Sequence, residues 1–150
     1  MSNMLMQRRR ALISAQGPTN GLTDGTYVDN SHQNSYFVVT NNKTVRYVAP
    51  RQLSPVYIPF LIPIIMAADC KLVPTHTLPS MSIFTNIKAD DGAAAGTNTL
   101  NVGPDHPIEL GSLTNYIGKT ITHISFLLTS VPNGDITITW RLFNDGKYVF

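Results

Sequence analysis

The chain has 150 residues and is 43% hydrophobic, enough for a single globular domain with its own core and too apolar for a disordered chain. Charged residues make up 13%, about half the usual share of a soluble domain, and Glu109 is the sole glutamate beside five lysines. The polar surface must therefore be built from Asn, Thr, Ser and Gly, a composition suited to secreted or virion β-proteins whose faces contact other subunits. Charge is also segregated. Residues 1–16 carry Arg8, Arg9 and Arg10 and no acid, while the rest sets eight Lys and Arg against nine Asp and Glu. The net charge of +2 is thus a property of the N-terminus, and the body is not expected to bind nucleic acid.

In chain order, Asn3 can cap a helix running to about Gln16, stopped by Gly17-Pro18. Leu5 and Leu12 fall on one side of it, with Arg8 and Arg9 interrupting the stripe. Such a helix is too short to be stable alone and needs a partner surface. Residues 18–35 read as a polar linker, with a short strand at Thr26-Tyr27-Val28. From residue 36 the pattern is all-β. Tyr36 to Thr40 and Thr44 to Val48 flank the turn Asn41-Asn42-Lys43, the signature of a hairpin.

Residues 56–68 form the most apolar run. Pro59 and Pro63 mark it as an edge or bulged strand, and it is shorter than the roughly 20 residues that span a bilayer. It holds more apolar side chains than one buried face needs, so Tyr57, Phe60 and Ile64 are expected either at a subunit interface or in a core strand buried on both faces. Lys71-Leu72-Val73 and Met81-Ser82-Ile83-Phe84 are further strands, and residues 90–96 a small-residue loop. Leu100-Asn101-Val102 and Ile108-Glu109-Leu110 are edge pieces, and residues 115–118 a turn. Residues 120–128 and 136–142 alternate apolar and polar on both sides of Pro132-Asn133-Gly134-Asp135, which predicts a final hairpin with one face buried. Short strands at intervals of about 8–12 residues predict an antiparallel β-sandwich or jelly roll with a short N-terminal helical arm. Parallel α/β architecture is excluded. Three segments result: an arm over 1–17, a linker over 18–35 and a β-domain over 36–150.

Little in the chain spells catalysis. His32, His76, His106 and His123 lack metal-ligand spacing, and His123 reads as an exposed strand residue. Asp90-Asp91 is the only adjacent carboxylate pair, and no nucleophile or phosphate-loop motif occurs. Cys70 is alone in an apolar stretch, which excludes an internal disulfide and predicts a buried thiol. A secretory leader is not expected, because Ser14 and Gln16 cut short the apolar stretch after Arg10. No enzyme activity, cofactor or metal is expected. Tyr116, Trp140 and Arg141 are the candidate contacts for a glycan, although Trp140 alternates with Ile136 and Ile138 and so points to the core. Arg8, Arg9 and Arg10, with Leu5 and Leu12, are the candidate anchor for an acidic groove on a partner.

Residues 6–16, Met-Gln-Arg-Arg-Arg-Ala-Leu-Ile-Ser-Ala-Gln, resemble the short openings of phage virion proteins, especially tail, baseplate and fibre-like components. The resemblance implies a virion location, other virion proteins as partners, and a β-domain displayed as a homo-oligomer, usually a trimer. The expected function is that of a non-enzymatic structural protein whose arm anchors a β-sandwich to the particle. The alternative is a carbohydrate-binding or receptor-binding module that recognises a host surface glycan.

Overall fold

The structure, a computed structural model, describes residues 20–29, 36–48, 55–78, 82–128 and 136–150. The arm, with Arg8, Arg9, Arg10, Leu5 and Leu12, lies outside the described residues, as does the turn around Pro132. Among the described residues eleven strands occur: β1 (Gly25–Val28), β2 (Tyr36–Thr40), β3 (Thr44–Val48), β4 (Ile58–Ile65), β5 (Lys71–Pro74), β6 (Ser82–Ala89), β7 (Ala94–Leu100), β8 (Ile108–Glu109), β9 (Thr120–Leu128), β10 (Ile136–Asn144) and β11 (Lys147–Tyr148). Two single 3-10 turns, Leu110–Ser112 and Thr114–Tyr116, are the only helical pieces there.

The strands form two antiparallel sheets packed as a sandwich. One has the order β1-β2-β3-β10-β5-β8, with β11 beside β10, and the other β4-β9-β6-β7. The eight strands from β3 to β10 are wound so that first pairs with last, third with last and with sixth, second with seventh, and fourth with both seventh and fifth. Consecutive strands change sheet at β3–β4, β4–β5, β5–β6, β7–β8, β8–β9 and β9–β10.

That winding corrects the predicted final hairpin. β9 and β10 do not pair. They lie in opposite sheets and face each other through the core, where the Phe126 and Trp140 rings stack with centroids 5.1 Å apart and planes 8° from parallel. Period-two alternation records a buried face, and a strand buries one face whether its neighbour in sequence lies beside it or across the sandwich. The β2–β3 hairpin does form, with Thr40 opposite Thr44 and both Asn41 and Asn42 at positive φ, where asparagine is the best tolerated side chain after glycine.

Core residues follow the alternation. Phe37, Val45, Ile138 and Leu72 face Ile58, Ile83, Ile87, Ile124 and Phe126, all with zero exposure. Tyr47 completes the cluster, its ring edge-on to Phe126 at 6.4 Å. The Tyr47 hydroxyl and the Trp140 indole N–H lie near each other but neither reaches hydrogen-bonding geometry. Burial pushes the Tyr47 phenol well above its usual range, with the indole pulling weakly the other way.

Two further expectations change. Residues 20–28, placed in the linker by sequence, belong to the body: β1 pairs with β2, and Leu22 bridges Phe60 with its side chain wholly buried. The loop predicted over 90–96 is shorter, because Ala94, Ala95 and Gly96 are already in β7, opposite Lys88, Ile87 and Asn86. Small residues there leave room for a neighbour: a Cβ on Gly96 would stand 2.5 Å from the Phe84 ring.

Candidate functional site

Two bulges shape the outer side of the four-stranded sheet. On β9, Lys88 pairs with His123 but Ala89 pairs with Ile121, so Thr122 is an extra residue. A bulge of this kind re-aims the side chains around it. Burial accordingly shifts from Ile121 to the even-numbered Ile124, Phe126 and Leu128, and His123 turns to the outer face. On β4 the irregularity is larger. Residues 60–63 intervene between Pro59 and Ile64, whereas Thr122 alone separates their β9 partners.

The first bulge assembles a cluster from β6, β9 and the segment leading into β4. The Tyr57 ring, just before β4, meets His123 edge-on at 6.4 Å, and Lys88 Nζ stands 4.4 Å from the Tyr57 ring centre. His123 Nδ1 shares a 2.7 Å hydrogen bond with Thr122 Oγ1. His123 is therefore half-buried rather than the exposed strand residue predicted. Burial raises the Tyr57 phenol, and nearby Tyr116 adds to the effect. Close by, Ser125 Oγ and Asn86 Nδ2 are buried without a hydrogen-bond partner, on residues that pair across β9 and β6. Lys119 Nζ bonds Asp91 Oδ2 at 2.8 Å and lies 5.2 Å from the Tyr116 ring centre.

These groups predict how stability responds to acid. Burial lowers the His123 pKa, and the Lys88 charge lowers it further. As pH falls through the ordinary histidine range, roughly 6.5, the unfolded chain gains a proton that the folded one resists, so stability falls with it. Asp91 is held below its usual value, first by the Lys119 hydrogen bond and next by the Ala93 N–H. Its contribution is present above the ordinary carboxylate range and is lost as pH falls through that range to its lowered pKa. Urea midpoints measured against pH should slope downward in the histidine window, and His123→Gln should flatten that part of the slope. An unchanged slope in the variant would refute the assignment.

The second bulge exposes apolar surface. Leu61, Ile62 and Ile65 are 42%, 50% and 67% exposed, whereas Phe60 and Ile64 are buried at 6%. Of the two places expected for them, Phe60 and Ile64 thus take the core rather than an interface, and Tyr57 is half-buried under Lys88. Three extra residues break the alternation, and simple period two cannot say which side chains such a bulge turns outward. Beside this strip runs an open groove of about 500 Å³, lined by Asn20, Pro63, Ile65, Asn144, Asp145 and Val149 among others.

The predicted glycan contacts do not converge. Trp140 has no exposed surface and stacks in the core, so it cannot meet a sugar; this corrects its place among the candidates. Arg141 is exposed, its guanidinium 3.5 Å from the Tyr148 ring centre, and Tyr148 in turn meets Phe143 edge-on at 5.3 Å. Tyr116 belongs to the other cluster, with Lys119. Tyr57, Lys88 and His123 were missed as a group because they are far apart in sequence and only a bulge turns them together.

Cys70 is buried, and its thiol is pushed up to about 12 by burial, then by the Asp69 and Glu109 charges. A thiol with so little thiolate at neutral pH is a poor nucleophile. His106 sits in a tight turn, exchanging backbone hydrogen bonds with Gly103. Among the described residues no group of three metal-ligating side chains occurs, and no helix is long and apolar enough to cross a membrane. Comparison of the chain with protein-family models, curated proteins and solved structures gives no match.

Proposed function

We propose that the chain is a non-enzymatic structural subunit of a virus particle, with a jelly-roll body and a basic N-terminal arm that anchors it to neighbouring subunits. The observation that carries this reading is the winding. The orders β3-β10-β5-β8 and β4-β9-β6-β7, numbered from β3 as 1-8-3-6 and 2-7-4-5, support reading the body as the double Greek key of a jelly roll. That architecture serves capsid and lectin domains. Segregated charge supports the arm's role, because Arg8, Arg9 and Arg10 carry more than the whole net charge of +2. A body with 13% charged residues has weak electrostatic protection against self-association, which fits a subunit that spends its life in contact with copies of itself. A trimer is the assembly this reading favours.

The test uses the full chain. Light scattering should report a mass at least twice 16.5 kDa, and a stable monomer would count against the assembly. Replacing Arg8, Arg9 and Arg10 together by Ala should weaken incorporation into particles by about tenfold or more, since exposed Arg–carboxylate pairs supply up to roughly 1 kcal/mol each. The remaining assembly should be less sensitive to salt. Equal incorporation by the variant would overturn the anchor.

A second reading, recognition of a surface glycan, draws on the Tyr57–Lys88–His123 cluster, an aromatic ring with a cation and an imidazole beside it. Saturable binding on a glycan array that is lost in Tyr57→Ala would favour it over a purely structural role.

A further inference from the structure

Among the described residues the outer edge of β4 is covered for only part of its length, around Pro59 to Leu61. Thr23 N–H donates to Pro59 C=O at 3.0 Å, and Leu61 N–H donates to Gly21 C=O at 2.9 Å. Leu22 bridges Phe60 between them, antiparallel. The direction of this pairing is informative. Followed backwards from Leu22, the chain heads along β4 towards Ile62 and Ile65. Asn20, where the described segment begins, already lines the groove beside them.

We propose that the exposed strip of Leu61, Ile62 and Ile65, with the groove beside it, is the seat of the chain's own residues 11–19. The occupant has suitable chemistry. Ala11, Leu12, Ile13 and Ala15 are its apolar side chains, and no charge occurs between Ala11 and Asn20. Its nine residues can extend by at most about 30 Å, enough to run along the strip and into the groove. Pro18 is compatible with that course. The odd-numbered Thr23 turns its N–H towards β4, so alternation continued through the proposed strap would put the missing N–H of Pro18 on the side facing away. Because the strap is tethered at the mouth of its seat, docking within one chain costs little loop-closure entropy.

Such a strap covers apolar surface that β4 otherwise leaves to water. Arg8, Arg9 and Arg10 precede the strap in the chain. The seat does not depend on what those arginines bind.

Hydrogen–deuterium exchange on the full chain tests the proposal. Amides of residues 11–19 should exchange about tenfold or more slowly than an open chain, and equally so over a roughly hundredfold range of protein concentration. Ile62→Asp with Ile65→Asp should abolish that protection while β9 stays protected, since both isoleucines are exposed and the fold does not rest on them. The Arg8, Arg9, Arg10 to Ala variant should keep the protection, which separates the strap from the anchoring role of the arginines. Open-chain exchange at residues 11–19 would overturn the seat, as would protection that survives the double substitution. Protection that grows with concentration would assign the groove to the arm of a second copy and overturn docking within one chain.

Discussion

Trp140→Ala is expected to destabilise the sandwich by about 4 kcal/mol, the range for removing a buried tryptophan. The indole has no exposed surface and stacks on Phe126 from the facing sheet, so its removal opens a cavity where both sheets meet. Its neighbours are strand side chains held by backbone pairing on both sides, which limits how far the core can collapse into the space. Urea unfolding followed by circular dichroism is the suitable measurement, because Trp140 is the chain's single tryptophan and its fluorescence disappears with it. Trp140→Phe should cost less than half as much. It keeps an aromatic ring against Phe126 and removes an indole N–H that has no hydrogen-bond partner. A loss under about 1 kcal/mol for the alanine variant would mean that the cross-sheet stack does not anchor the core.

Gly111→Ala should cost about 3 kcal/mol, at the upper end of the usual range for overpacking. Gly111 begins no turn with positive φ; its constraint is space. A Cβ there would run into the Ala68 carbonyl, whose carbon would stand 2.7 Å away. The clash cannot be relieved by a rotamer change, because the obstacle is backbone. Gly111 N–H also donates to Cys70 C=O at 2.9 Å, so moving the 3-10 turn away breaks a hydrogen bond beside a buried thiol. The variant should unfold at a lower urea concentration and expose Cys70 to thiol reagents under milder conditions. Gly118→Ala offers a contrast, since nothing lies within 4 Å of its added Cβ and only its φ of +90° opposes the change. That substitution should cost about 1 kcal/mol.

Both predictions concern contacts between segments distant in sequence, which no local pattern of residues records. The alternating runs of residues 36–48, 120–128 and 136–142 identified strands and, for each, the buried face. Val45, Tyr47, Phe126, Ile138 and Trp140 all face the core as their spacing requires. The prolines of β4 likewise marked an edge. Pro59 donates no N–H at a position whose carbonyl meets Thr23 across the strand's outer side. A sheet's interior has no place for such a residue.

The candidate sites were less legible for a physical reason that those same strands expose. Alternation depends on each residue's own environment, so it survives whichever strand lies alongside, and β9 and β10 could be read as a hairpin although they sit in opposite sheets. Which strands pair is decided by how two whole sheets close over one core, a sum of contacts with no local signature. Bulges depend on that pairing too. The extra Thr122 exists only relative to Lys88 and Ala89, and the long bulge of residues 60–63 only relative to β9. Composition and period two therefore determined the all-β class, the concentration of positive charge in residues 8–10 and most of the core. Tertiary structure alone decided that His123 would lie against Tyr57 and Lys88, that Trp140 would stack on Phe126 of the facing sheet, and that Leu61, Ile62 and Ile65 would turn outward, because each outcome rests on a register or packing between strands that no single segment encodes.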